Sequence, residues 1–176
     1  MIKLVVTGPE SSGKTTLSKA LGHEWRAVHV NEVAREYLAG LQAPYGEHDL
    51  LVIAKAQLRL EDELAAGSEL MNMVCDTDLI TVRIWSEEKY GRCDPWIIEH
   101  TQHRLYHHWL LCSPEGIPWE PDPLRENPHD RERLFQRHLD LLEALGKPYS
   151  VLLGDPQDRL HQALGIARKV ELDHNR

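Results

Sequence analysis

Residues 8–15 read Gly-Pro-Glu-Ser-Ser-Gly-Lys-Thr, and they follow the β-branched run Ile2–Thr7 with no spacer. A short apolar run bounded by glycine reads as a buried strand. Lys14–Leu21 then reads as a helix, with Gly22 placed to stop it. Glycines let the intervening backbone curl so that successive N–H groups face inward onto anionic oxygens. The helix adds the positive end of its dipole to the same spot. The spacing GxxxxGK[ST], with a strand before it and a helix after it, is the signature of a P-loop. It assigns Gly8, Glu10, Ser11, Ser12, Gly13, Lys14, Thr15 and Thr16 to the phosphates of ATP. Lys14 is expected at the β- and γ-phosphates and Thr15 on Mg²⁺.

Downstream of this loop the chain alternates apolar runs with helical patterns. Ala27–Asn31, Asn72–Cys75, Tyr106–Cys112 and Tyr149–Leu153 read as further strands. Helices are expected over Glu32–Leu41, Glu47–Ala66, Leu79–Lys89, Trp96–Arg104, Leu134–Leu145 and Gln157–Val170. Five short strands alternating with helices predict an α/β fold of the P-loop NTPase kind. Its parallel sheet would be five-stranded with helices on both faces. The length, 176 residues, fits a single domain over 1–176. Net charge is −8, which argues against a nucleic-acid binder, since such proteins present a basic face. No apolar run reaches a membrane span, and the chain enters its first strand at once, so no signal peptide is expected. Cys75, Cys93 and Cys112 lack CxxC spacing, as suits reduced thiols in a cytoplasmic protein.

The phosphate's fate is read from what surrounds the loop. The run Met71–Asp78 ends in Asp76 and Asp78, and a carboxylate at a strand end beside the P-loop suits the Mg²⁺ shell. Asp76 is assigned there. Asp78 is the better helix cap and is also a candidate for the acceptor site. A mechanical ATPase would carry Glu after that Asp, where this chain has Thr77, and a GTPase would carry an Asn/Thr-Lys-x-Asp tetrapeptide, which does not occur. Both absences favour a small kinase. At the end of the second strand Glu32 can orient or deprotonate an acceptor hydroxyl, with Arg35 and Tyr37 as further acceptor contacts.

The segment Ser113–Pro128 holds Pro114, Pro118, Pro121, Pro123 and Pro128 and few apolar residues. It reads as a functional loop, a lid over about residues 113–137. Asn127 would cap a helix with Pro128 in first position and Asp130 in its first turn. Arg125, ahead of Arg131, would bring positive charge to the transferring phosphate, and closure would exclude water. The loop before the last helix, with Arg159, is expected beside the adenine. Lys14, Glu32, Asp76 and Arg125 are the catalytic candidates.

Five stretches, "GPESSGKTTL", "NEVAREYL", "CDTDLITVRIW", "KYGRCDPWI" and "IPWEPDPLRENPHDRERLF", together resemble the NadR-type kinase domain, a family of nicotinamide riboside kinases. The likeness covers nearly the whole chain. It implies transfer of the ATP γ-phosphate to the 5′-hydroxyl of nicotinamide riboside. By position it matches Lys14 and Thr15 to phosphate and Mg²⁺, Glu32 and Arg35 to the acceptor, and Asp76 and Asp78 to the acidic strand end. Some members carry a large aromatic beside the residue at Glu32, where this chain has Asn31 and Val33. Another nucleoside or a vitamin-like alcohol is therefore the alternative acceptor. A nucleotide-binding regulatory ATPase is the alternative from another class. The expected partner is a small nucleoside-like molecule, and the chain could also self-associate as a homo-oligomer.

Overall fold

The computed structural model describes residues 1–67, 71–122 and 129–174. Its first half runs β1 (Lys3–Thr7), α1 (Lys14–Glu24), β2 (Val28–Val30), α2 (Val33–Ala39), α3 (Glu47–Gly67) and β3 (Met73–Asp76). Then come α4 (Leu79–Tyr90), α5 (Pro95–His103), β4 (His108–Cys112), α6 (Arg131–Ala144), β5 (Tyr149–Leu152) and α7 (Pro156–His174). The strands form one parallel sheet in the order β2-β3-β1-β4-β5. This is the expected α/β P-loop NTPase architecture. Strand β1 lies at the centre, and the chain crosses from its β3 side to its β4 side. Such a switch of direction opens a crevice at the carboxyl ends of the strands, and the glycine loop sits there.

Alternate residues of each strand feed opposite faces. Leu4, Val6, Val74, Leu110 and Cys112 pack with Leu17 and Leu21 of α1 and Ala163 and Ala167 of α7. Val5, Cys75, Trp109 and Leu111 pack with Ile80 and Ile84 of α4 and Leu134 and Leu142 of α6. Both faces are thus covered, which is why the strands are apolar throughout. A third cluster ties α2 to its neighbours: Ala34 meets Leu50, Ile53, Ala54 and Leu58 of α3, with Leu79 and Val82 of α4. It fixes the block that carries Glu32 against the rest of the molecule.

Several bounds differ from the expectation: β2 and α2 are shorter at both ends, and α7 runs on past Val170 to His174. Helix α1 runs through Gly22 to Glu24, with Gly22 buried and facing His29 of β2. Helix α6 begins at Arg131, so Asp130 is its N-cap position and not part of its first turn. Asn127 and Pro128 lie outside the described residues. Strand β4 begins at His108, since His107 uses Nδ1 to accept from the Lys3 N–H. Among the described residues no helix is long and apolar enough to cross a membrane.

Candidate active site

The glycine loop has the backbone that an anion cradle requires. Gly8 has φ +140°, and a Cβ there would collide with the Cys112 carbonyl oxygen at 2.7 Å. Ser11 and Gly13 are also at positive φ, 51° and 81°. A non-glycine residue held in that region stores strain that the surroundings must sustain. Ser12 Oγ donates to the Pro9 carbonyl at 2.8 Å, and Lys14 Nζ donates to the same oxygen at 2.7 Å. The first turn of α1 has no acidic side chain to offset its positive end.

Two arginines hold this loop from behind. Arg159, 2% exposed, donates Nη1 to the Ser12 carbonyl at 2.9 Å and Nε to Gly154 O at 2.8 Å, with Nη2 3.4 Å from Glu115 O. Arg131 donates Nη1 to Ser11 O at 3.1 Å and Ile117 O at 2.9 Å. The segment after β4 grips the same place: Ser11 Oγ donates to Pro118 O at 3.3 Å and accepts from the Glu120 N–H at 3.0 Å. That segment and the loop are therefore hydrogen-bonded together over Glu115–Glu120.

A cavity of about 400 Å³ opens in front of the loop. Glu10, Ser11, Ser12, Gly13, Lys14, Thr15 and Thr16 line it together with Glu32 and Arg35. Leu38, Trp85 and Ile117 give it an apolar wall, while Lys19 and Glu120 complete its polar rim. Glu32 occupies the N-cap position of α2, yet its side chain makes no capping bond there. Arg35 donates to Asp122 of the lid segment at 2.8 Å, bridging α2 and the lid, and that carboxylate raises the guanidinium's pKa.

Asp76 ends β3 at 1% exposure, and its Oδ1 has no hydrogen-bond partner among the described residues. A buried carboxylate oxygen left unpaired is costly unless a cation or donor completes it. Thr15 lines the cavity and Asp76 does not, but a carboxylate and a hydroxyl are the oxygen donors that suit a hard divalent cation such as Mg²⁺. The next residue, Thr77, is held at φ 69° by its N–H bond to Val6 O at 2.9 Å, which turns the chain sharply after the strand. Thr7 Oγ1 lies 3.2 Å from Thr81 Oγ1, closing β1 onto α4 beneath the loop.

Not all expected residues meet here. Asp78 is 2% exposed and does not line the cavity. It caps α4 by accepting from Ile80 N–H at 3.2 Å, and its other oxygen accepts from Trp109 Nε1 at 2.8 Å. Burial pushes its pKa up to about 7, outweighing the donors that favour the carboxylate. Tyr37, expected at the acceptor, instead donates its hydroxyl to Asp49 at 2.7 Å and packs with the third cluster. Arg159, expected on ATP, gives Nε, Nη1 and Nη2 to carbonyls of Gly154, of the loop and of Glu115, and Arg131, also expected there, gives Nη1 to Ser11 O and Ile117 O. Arg125 lies outside the described residues. Sequence reasoning missed Gln57 of α3, which is 3% exposed and accepts from the Val33 N–H at 3.0 Å. A polar residue within the apolar stripe Ile53, Ala54, Leu58 was the only available signal.

No curated protein sequence matches the chain. Among solved structures, a NadR protein in complex with NR superposes with a TM-score of 0.82 at 19% identity, over 96% of this chain and 51% of that one. This chain thus spans about half of that protein's length. A deoxyadenosine kinase from M. mycoides, with products bound, gives a TM-score of 0.61 at 13% identity, over 96% of this chain and 100% of that one. A thymidylate kinase from Ehrlichia chaffeensis gives 0.66 at 13%, over 94% and 98%. These likenesses establish a shared fold, and the resemblance to NadR-type domains is met at that level. A sequence-family model described as an AAA domain matches residues 3–159, nearly the whole span from β1 to the start of α7. With its P-loop at the head of a five-stranded parallel sheet, the chain belongs to the AAA-domain family.

Proposed function

We propose that this chain is an ATP-dependent kinase of a small nucleoside, and that its acceptor is nicotinamide riboside, phosphorylated on the 5′-hydroxyl to nicotinamide mononucleotide. One observation carries the reading: Lys14 and Thr15 share a single cavity with Glu32, Arg35 and Trp85. A hydrolytic site needs room for a water beside the γ-phosphate. This cavity has room for an organic molecule, and Trp85 is an aromatic residue in its lining. The NadR fold seen in complex with NR supports the choice of acceptor.

The acceptor oxygen attacks the γ-phosphorus in line, the bond from that phosphorus to its bridging oxygen breaks, and ADP leaves. The hydroxyl proton passes to Glu32, which lines the same cavity as the loop. Lys14 and the backbone amides of residues 8–15 draw charge from the migrating group. Held by Thr15 and Asp76, Mg²⁺ would neutralise the β- and γ-oxygens. Leu38, Trp85 and Ile117 keep bulk water from competing with the alcohol. Arg125 supplies the lid's cation in this scheme, and residues 1–176 serve as one kinase domain in the cytoplasm.

Coupled ADP release across a panel of ribosides tests the proposal. ATP turnover should be stimulated strongly by nicotinamide riboside, with a phosphorylated product recovered. Stimulation by a different riboside alone would move the acceptor and keep the reaction. Slow turnover unaffected by every alcohol would favour the regulatory ATPase instead.

A further inference from the structure

The residue that sets the direction of Glu32 lies on a different helix. Gln57 sits in the stripe of α3 that also presents Ile53, Ala54 and Leu58, and its side chain is almost wholly buried. A carboxamide in such a place is costly unless both its ends are bonded. Here Oε1 accepts from the Val33 N–H at 3.0 Å, and Nε2 approaches the Asn31 carbonyl at 3.4 Å. These two backbone groups belong to the two peptide planes on either side of the Glu32 α-carbon. Each plane is rigid, so the only soft dihedrals between them are φ and ψ of Glu32. One side chain therefore pins both, at −68° and 110°.

The pinning bears on the carboxylate. A residue in the N-cap position normally turns its own side chain back onto the free amides of the first turn. Glu32 does not, and it lines the cavity. Gln57 takes up the first of those amides, Val33, from outside the helix. Ala34 and the third cluster seat α2 on α3, so the clamp is referenced to the core.

We propose that Gln57 is a positioning residue that acts on phosphoryl transfer through Glu32, an inference that rests on the kinase reading above. Two readouts test it. Amide hydrogen exchange reads the clamp without any turnover: the Val33 amide should exchange at least about tenfold faster in Gln57→Leu, which keeps most of the volume and removes both bonds. ADP release with ATP and nicotinamide riboside reads the consequence: kcat should fall by about tenfold to a hundredfold with ATP affinity unchanged. In a Glu32→Gln background the same Gln57→Leu change should alter kcat by less than about twofold, since a lost orienter has nothing left to orient. Gln57→Glu keeps the acceptor for Val33 and loses the donor to Asn31, so it should fall between wild type and Gln57→Leu. It also provides the measurement if Gln57→Leu does not fold. Unchanged Val33 exchange, or kcat losses that are equal in the two backgrounds, would overturn the proposal. Wild-type protein that no riboside stimulates would instead sink the kinase reading, and the Val33 exchange would still decide whether the clamp exists.

Discussion

Arg159 of α7 donates to the carbonyl oxygen of Ser12 at 2.9 Å, and the guanidinium is buried. The two residues are far apart in sequence, yet this bond sets where a loop carbonyl points, and so where the neighbouring amides point. Truncation leaves the buried Ser12 O short of a donor, while Gly154 and Glu115 are exposed and their carbonyls can turn to water. A buried polar group so orphaned costs about 1–3 kcal/mol. Arg159→Leu should therefore lower stability in denaturant melts by about that amount and weaken ATP binding together. Loss of ATP affinity at unchanged stability would mean that Arg159 touches the nucleotide directly.

Ser11 couples two properties that substitution can separate. Its positive φ favours glycine, while its hydroxyl joins Pro118 and Glu120 of the lid to the loop. Ser11→Gly relieves the backbone and removes the hydroxyl's two bonds to the lid segment; Ser11→Ala removes those bonds alone, and the contacts through Arg131, Arg159 and Arg35 stay. Both should raise acceptor-independent ADP release relative to riboside phosphorylation, because water gains entry. Ser11→Gly should be the more stable of the two by about 1 kcal/mol. Equal ratios of product to ADP in both variants and wild type would show that the lid's grip on Ser11 does not exclude water.

Much of this arrangement was legible in the chain because it rests on local rules. Strand runs such as Leu4-Val5-Val6 are apolar without alternation, and that pattern specifies burial on both faces. The loop from Gly8 to Thr15 is legible because its geometry needs glycine at two fixed places. What was illegible depends on residues distant in sequence. Asp78 looks like a site residue beside Asp76, and only the indole of Trp109 on β4 shows that it faces the core. Arg131 and Arg159 look like free lid and loop cations until Ser11 and Ser12 are placed beside them. Gly22 has the sequence context of a helix stop, yet it lies buried inside α1 and faces His29 of β2.

Lys14 donates to the Pro9 carbonyl within its own loop and contributes to none of the three core clusters. Lys14→Ala should therefore leave the thermal midpoint within a few degrees of wild type. Turnover should fall by about 10²–10³-fold, as expected for removing a charge aimed at the transition state. Near-wild-type ADP release in this variant would remove the P-loop from the reaction.

Asp78 and His138 give stability two opposed dependences on pH. Burial raises the Asp78 carboxyl from 3.8 to about 7, so the folded state keeps a proton that the unfolded chain has lost. Its contribution is complete at low pH and declines as pH rises from about 4 through about 7. His138 is the reverse case. It is buried with Nδ1 at 2.8 Å from Leu134 O and Nε2 at 3.5 Å from Thr81 Oγ1, and burial lowers its pKa from 6.5 to about 4. The unfolded chain then binds the extra proton, so this contribution is complete above about 6.5 and is lost as pH falls toward about 4. The two shifts are each worth on the order of a few kcal/mol and largely cancel over the shared window. Asp78→Asn keeps a side chain able to cap α4, and it should make stability rise more steeply from about pH 4 to 7 than in wild type. His138→Gln should make it fall over the same range. Denaturant midpoints of the three proteins across that window measure the differences, and parallel curves for all three would show that neither group is held in its neutral form by burial.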